Sequence, residues 1–133
     1  MTNNQQLTCG QLERALSQRI QKLYREKLGH QPGKIMCQIF DQKVAIVIEN
    51  SMTATEALLA ENNKFHLAQQ VRLDVNQLIQ QDLKELIEEV LQVSVLDLLS
   101  DAKLKTKRSG IIAILEKTPI VRNPEAIPKA NQK

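Results

Sequence analysis

Aromatic residues are almost missing from this chain. Tyr24, Phe40 and Phe65 make up 2% of the 133 residues, and there is no tryptophan. The core must therefore be aliphatic. Platforms that stack sugars or single-stranded bases rely on aromatic faces, so the scarcity counts against both. Cysteine is as sparse. Cys9 and Cys37 are too few for a disulfide framework, so they read as reduced thiols in a cytoplasmic protein. The four glycines, Gly10, Gly29, Gly33 and Gly110, form no Walker or dinucleotide loop, which counts against a nucleotide-binding enzyme. His30 and His66 have no Cys, His or carboxylate at ligand spacing. No metal site, cofactor or catalytic residue is expected. The opening MTNNQQLT lacks an apolar signal core. No apolar run approaches the roughly 20 residues of a membrane span, so direct membrane insertion is not expected.

What the chain does have is aliphatic periodicity. Apolar residues make up 42%, too many for a disordered protein, and the length suits one domain. The charge is uneven. Residues 1–100 carry 10 Lys/Arg and 12 Asp/Glu, while residues 101–133 carry 8 and 3. The basic excess thus sits at the C-terminal end, which weakens any inference from overall charge to nucleic acid.

Residues 1–7 read as a loose polar leader. Thr8 and Gln11 then form a capping box. Leu12, Leu16, Ile20, Leu23 and Leu28 follow at helical spacing, and Gly29 stops the helix with Pro32 beyond. IMCQIF and KVAIVIE, joined by Asp41-Gln42, read as an antiparallel hairpin. Both its faces are apolar, which predicts a central hairpin or one covered on both sides. Thr53 and Glu56 form a second capping box ahead of a short helix. From Phe65 to Leu91 there is no Gly or Pro, and Leu67, Val71, Val75, Leu78, Ile79, Leu83, Leu86, Ile87 and Val90 form a stripe. Val93–Ser100 and Gly110–Glu116 are the last two strand candidates. The segment 118–133 holds three of the four prolines and reads as an extended tail. The order is helix, strand, strand, short helix, long helix, strand, strand. Its simplest closure is an α+β two-layer sandwich spanning 8–117, with helices on one face of a four-stranded antiparallel sheet.

Few residues suggest chemistry. Cys9 at a helix start is the better candidate for a reactive thiol, because a helix N-terminus lowers thiol pKa. An enzyme using Cys9 or His30 is the weakest of three readings. Glu85, Glu88 and Glu89 read as a solvated helix face, and Asp97 within VLDLL as the wet side of an edge strand. Lys103, Lys105, Lys107 and Arg108 could contact a partner or phosphates if alternation places the lysines on one side. A solvated hairpin tip, whose lysines discourage edge aggregation, is the preferred reading. The element order also resembles RNA-binding KH modules of type II, but these need a glycine loop between helices. Ala60 to Lys64 contains no glycine.

Residues 10–117 resemble the MpsC-like family of small bacterial domains, associated with a sodium-translocating, membrane-potential-generating system. The resemblance is carried by LGHQPGK, IMCQIFDQKVAIVIEN, MTATEALLA and Arg72. Gln31 replaces the second glycine of the family's Gly-x-Gly-Pro turn, and Met52 stands for Leu in its Leu-Thr-x-x-Glu segment. The resemblance implies a one-domain α+β protein with no catalytic residues to carry over, and an association with membrane ion or inorganic-carbon movement.

The leading expectation is a non-enzymatic interaction or regulatory domain, homodimeric, with a membrane-transport protein as a further partner. A nucleic-acid-binding module using 103–108 is the alternative. The apolar strands exceed what one helical layer covers. The expected dimer edge is Val93, Val95, Asp97 and Leu99, since unpaired strands can pair with their own copy.

Overall fold

The computed structural model describes residues 6–129. Helix α1 (Cys9–Leu28) starts where the capping box predicts. The Gln11 N–H donates to the Thr8 hydroxyl at 3.1 Å, and the Gln11 carboxamide oxygen accepts from the Thr8 N–H at 2.9 Å. It ends at Gly29 with φ 60°, the left-handed conformation that glycine adopts without strain. Strands β1 (Ile35–Phe40) and β2 (Lys43–Ile48) form the hairpin. Helices α2 (Ala54–Glu61) and α3 (Phe65–Leu91) follow, then β3 (Val95–Lys103) and β4 (Arg108–Leu115). The last hairpin reaches closer to its tip than hydropathy indicates, because Asp101–Lys103 still pair with Arg108–Gly110. Polar residues can hold a ladder that apolar runs do not mark.

The sheet is antiparallel, in the order β1-β2-β4-β3. Helices α1 and α3 lie against one face, and α2 packs on α3. Val44, Ile46 and Ile48 point into the core with Ile39, Ile111, Ala113 and Leu115. From the helices come Leu12, Leu16, Ile20, Tyr24, Ile79, Leu83, Ile87 and Leu91. The first hairpin supplies a central strand, but only one of its faces is covered. Met36 and Val47, on the other face, are 58% and 43% exposed.

The stripe on α3 also needs correction. Its C-terminal half buries Ile79, Leu83, Leu86 and Ile87, whereas Leu67 and Leu78 are 50% and 74% exposed. Helical spacing is the same in both halves; only the second half lies over the sheet.

Both sheet edges carry side-chain partners on their outward backbone groups. On β1 the Ile39 N–H donates to Glu13 Oε2 at 2.8 Å, and the Ser17 hydroxyl donates to the Ile35 carbonyl at 3.2 Å. On β3 the Gln80 amide donates to the Leu98 carbonyl at 3.3 Å, and the Ala102 N–H donates to Asp101 Oδ1 at 2.8 Å. A register irregularity between Val95 and Asp97 further disturbs the β3 edge. Such features blunt edge-to-edge pairing.

The segment after β4 is partly extended but not detached. Val121 and Ile127 are buried in the core, with a short 3-10 turn at Pro124–Ala126 between them. The Asp41 N–H donates to the Pro128 carbonyl at 2.7 Å, and the Arg122 N–H to the Leu7 carbonyl at 2.9 Å. The Cys9 N–H donates to Asn123 Oδ1 at 2.8 Å. The boundary at residue 117 therefore ends the sheet, not the core. Of the leader 1–7, residues 1–5 lie outside the described part.

Candidate functional site

The polar centre of the molecule is an ion pair that hydropathy alone does not reveal. Glu56, at the third position of α2, is 0% exposed, and Arg72 on α3 is 4% exposed. The Arg72 Nε donates to Glu56 Oε2 at 2.7 Å and Nη2 to Oε1 at 2.8 Å, a bidentate pair. Nη2 also donates to the Ser51 carbonyl at 2.8 Å, and Nη1 to Asn76 Oδ1 at 3.3 Å. Glu56 Oε1 accepts from the Thr53 N–H and hydroxyl, each at 3.0 Å. The capping-box carboxylate thus serves two roles, closing the start of α2 and neutralising a buried guanidinium.

Around this pair the chain folds tightly. Asn50 turns with φ 50°, and the Ser51 N–H then donates to the Lys107 carbonyl at 2.9 Å. The Ser51 and Ser109 hydroxyls are 2.7 Å apart. Tyr24 lies beside Ser109 and Arg72. Burial raises its hydroxyl pKa, and those two neighbours partly offset the rise. His30 Nε2 sits 2.7 Å from the Asn50 carbonyl. The Gly33 N–H donates to the Glu49 carbonyl at 2.8 Å, and the Arg108 Nε to Glu49 Oε1 at 2.8 Å. The turn after α1, the capping box of α2 and Arg72 therefore meet at one end of the sheet. Sequence spacing had treated them as separate devices. The available signal was Arg72 itself: it falls on the buried side of α3, four residues after Ala68 and seven before Ile79. A cation there requires a partner.

Next to this centre lies an open groove of about 770 Å³ between the N-terminal half of α3 and the β3–β4 tip. Phe65, Leu73 and Leu104 give it apolar walls, Lys103 and Lys105 stand on the tip side, and Arg72 also lines it. The basic segment is thus only partly gathered. The strand stops at Lys103, whose carbonyl accepts from the Lys107 N–H at 2.8 Å, so the expected alternation does not continue to Lys105 and Lys107. Arg108 is held by Glu49.

The other expected site residues are dispersed. β3 is an edge strand of the sheet, but Val93 lies ahead of it, and the Val93 and Val95 side chains are buried in the core, at 7% and 5% exposure. Asp97 and Leu99 lie on the open face of β3, opposite Ile114 and Ile112. Glu88 accepts from the Val95 N–H at 2.9 Å and Glu89 pairs with Arg19, while Glu85 accepts from the Gln81 amide. His66 is exposed at the start of α3. Among the described residues, no three His, Cys, Asp or Glu side chains are placed to hold a metal ion.

The thiols do not behave as the helix-terminus argument suggests. Burial and the Glu13 carboxylate push Cys9 up to about 11. Burial likewise pushes Cys37 up to about 11, against a hydrogen bond from Ser17. The thiolate is the nucleophile, so labelling of the native protein by a maleimide at pH 7 should be slow and should quicken about tenfold per pH unit up to pH 10. A thiol pKa raised above its ordinary 9.0 stabilises the fold fully below pH 9 and loses that contribution as pH rises to 11. Stability measured by denaturant should therefore fall over pH 9–11. Fast labelling at pH 7 with the fold intact would show an accessible thiolate instead.

Comparison with known proteins bears on this geometry directly. Residues 8–117 match the family described as "Na+-translocating membrane potential-generating system (MpsC)". The chain belongs to the MpsC family. The matched span runs from the cap of α1 to just past β4, so it contains the whole Glu56–Arg72 centre and the groove. The docked segment carrying Val121 and Ile127 lies beyond the family match. No curated protein and no solved structure matches the chain. Among the described residues, no helix is long and apolar enough to cross a membrane.

Proposed function

We propose that this MpsC-family chain is a non-enzymatic, cytoplasmic accessory domain of a membrane ion or inorganic-carbon transport system. It holds an acidic, apolar-bearing segment of a membrane-protein partner in the groove between α3 and the β3–β4 tip. The observation that carries this reading is the groove's composition: Phe65 and Leu73 exposed and Leu104 half-buried beside the exposed Lys103 and Lys105. Exposed apolar side chains rimmed by cations suit a partner that brings apolar anchors and carboxylates. Support for a non-catalytic role comes from the polar centre, where Glu56 and Arg72 are engaged with one another and with Ser51, Thr53 and Asn76. The thiols are also held protonated at neutral pH.

The rival nucleic-acid reading keeps Lys103, Lys105 and Lys107 but loses Arg108 to Glu49. It also has Asp101 in the same groove, which repels phosphate.

The test is complementation. A strain lacking this chain is given the wild type, Leu73→Lys or Lys105→Glu, and sodium-dependent membrane potential is read with a voltage-sensitive dye. Leu73 is 58% exposed, so its variant should melt as the wild type does. The expected result is loss of restoration with both variants. Full restoration by both would overturn the groove as the partner site.

A further inference from the structure

The face of the sheet turned away from the helices is the largest feature that the groove does not explain. Among the described residues, no helix covers it. The register places Met36, Val47, Gly110 and Asp101 in one row, and Gln38, Ala45, Ile112 and Leu99 in the next. Phe40, Lys43, Ile114 and Asp97 make a third row. Met36, Val47 and Leu99 are 58%, 43% and 54% exposed.

Gly110 is the anomaly in this face. It lies inside β4, paired with Val47 on one side and Asp101 on the other. It is not among the positive-φ residues, and a Cβ built on it would meet nothing within 4 Å. Neither backbone conformation nor packing within the chain requires glycine there. A glycine inside a strand weakens it, and often marks a place where another surface comes close. It leaves a hollow beside the Val47 side chain.

We propose that the open face binds the open face of a second copy, with the two-fold axis running along the strands. Such an axis reverses the strand order, so β2 lies over β4 of the other copy and β1 over β3. Each Val47 then seats in the other copy's Gly110 hollow. Each Lys43 then lies over the other copy's Ile114, one strand from its Asp97 and within reach of a lysine side chain, and neither charged residue has an ion-pair partner among the described residues. An axis perpendicular to the strands would instead set Asp97 against Asp101 of the other copy, an unfavourable like-charge contact. Aligned packing of two sheets about 10 Å apart is the usual geometry for such faces. The capped edges, by contrast, argue against a continuous intermolecular sheet. The groove lies at α3 on the other side of the sheet and shares Asp101, on the edge strand β3, with this face.

Sedimentation velocity of the full chain at micromolar to millimolar concentration tests the pairing. The wild type should dimerise. Val47→Glu should weaken dimerisation at least tenfold while keeping the far-ultraviolet circular dichroism of the wild type. Gly110→Val fills the hollow, so it should also weaken the dimer while the monomer still melts cooperatively. Lys43→Asp and Asp97→Lys should each weaken the dimer, and the double variant should recover it. A wild type that stays monomeric throughout overturns the proposal, as does a dimer indifferent to Gly110→Val. A dimer that survives Val47→Glu but breaks with Leu78→Lys would move the interface to α3 and overturn it as well.

Discussion

Glu56→Ala should lower the unfolding free energy by about 3–5 kcal/mol, because it leaves the Arg72 guanidinium buried without its counter-charge. Arg72→Ala should cost a similar amount by stranding the Glu56 carboxylate, which is 0% exposed. Loss of the cap accounts for only part of this, since removing a capping side chain typically costs about 1 kcal/mol. Thr53→Ala measures that part together with the hydrogen bond that the Thr53 hydroxyl donates to Glu56 Oε1. It removes the hydroxyl that accepts from the Glu56 N–H at 3.3 Å and leaves the ion pair in place. Removing both charges together, as Glu56→Leu with Arg72→Met, should cost less than the two single changes combined. Apolar replacements of similar volume leave no orphaned charge. Urea denaturation at neutral pH reads all four variants. A loss below about 1 kcal/mol for both single alanine variants would mean that the pair is hydrated in solution and does not tie α2 to α3.

The size of that effect also explains what the sequence could and could not convey. The helix and strand order is legible because each element announces itself locally: Thr8 and Thr53 as caps, Gly29 as a stop, and continuous aliphatic runs as strands. Periodicity says which side chains share a face but not whether anything covers it. Leu78 and Ile79 are neighbours on one amphipathic helix, yet one is 74% exposed and the other 3%. The difference lies in which side of α3, turning about 100° per residue, faces the sheet. The same blindness affects β3, where Val95 turns inward and Leu99 outward, because the irregularity between Val95 and Asp97 resets the alternation. Glu56 and Arg72 are 16 positions apart, on two helices whose packing angle no local pattern encodes. Only Arg72, a cation on a buried helical stripe, hinted that a carboxylate had to be close. The groove belongs wholly to tertiary structure, since α3 and the β3–β4 tip form its walls from distant parts of the chain.

Truncation after Lys117 should destabilise the fold, even though the matched family span ends there. The proline-containing segment that follows contributes Val121 and Ile127 to the core, at 5% and 3% exposure. Burying two aliphatic side chains of this kind is worth roughly 1.5–3 kcal/mol each. Their removal also uncovers apolar residues that they pack against. It takes away the Asn123 oxygen that accepts from the Cys9 N–H at the start of α1, and the Pro128 carbonyl that accepts from Asp41 at the first hairpin's tip. The segment thus ties the beginning of α1 to the β1–β2 turn. The total loss should reach about 3–6 kcal/mol, a large share of the 5–15 kcal/mol typical of a domain. Thermal melts of residues 1–117 and 1–129 against the full chain separate the docked segment from the last four residues. The longer truncation should match the full chain. The shorter one should melt much lower or fail to fold, and Ile127→Ala in the full chain should reproduce about 2–5 kcal/mol of its loss. An unchanged midpoint for residues 1–117 would show that the docking of Val121 and Ile127 contributes nothing to stability.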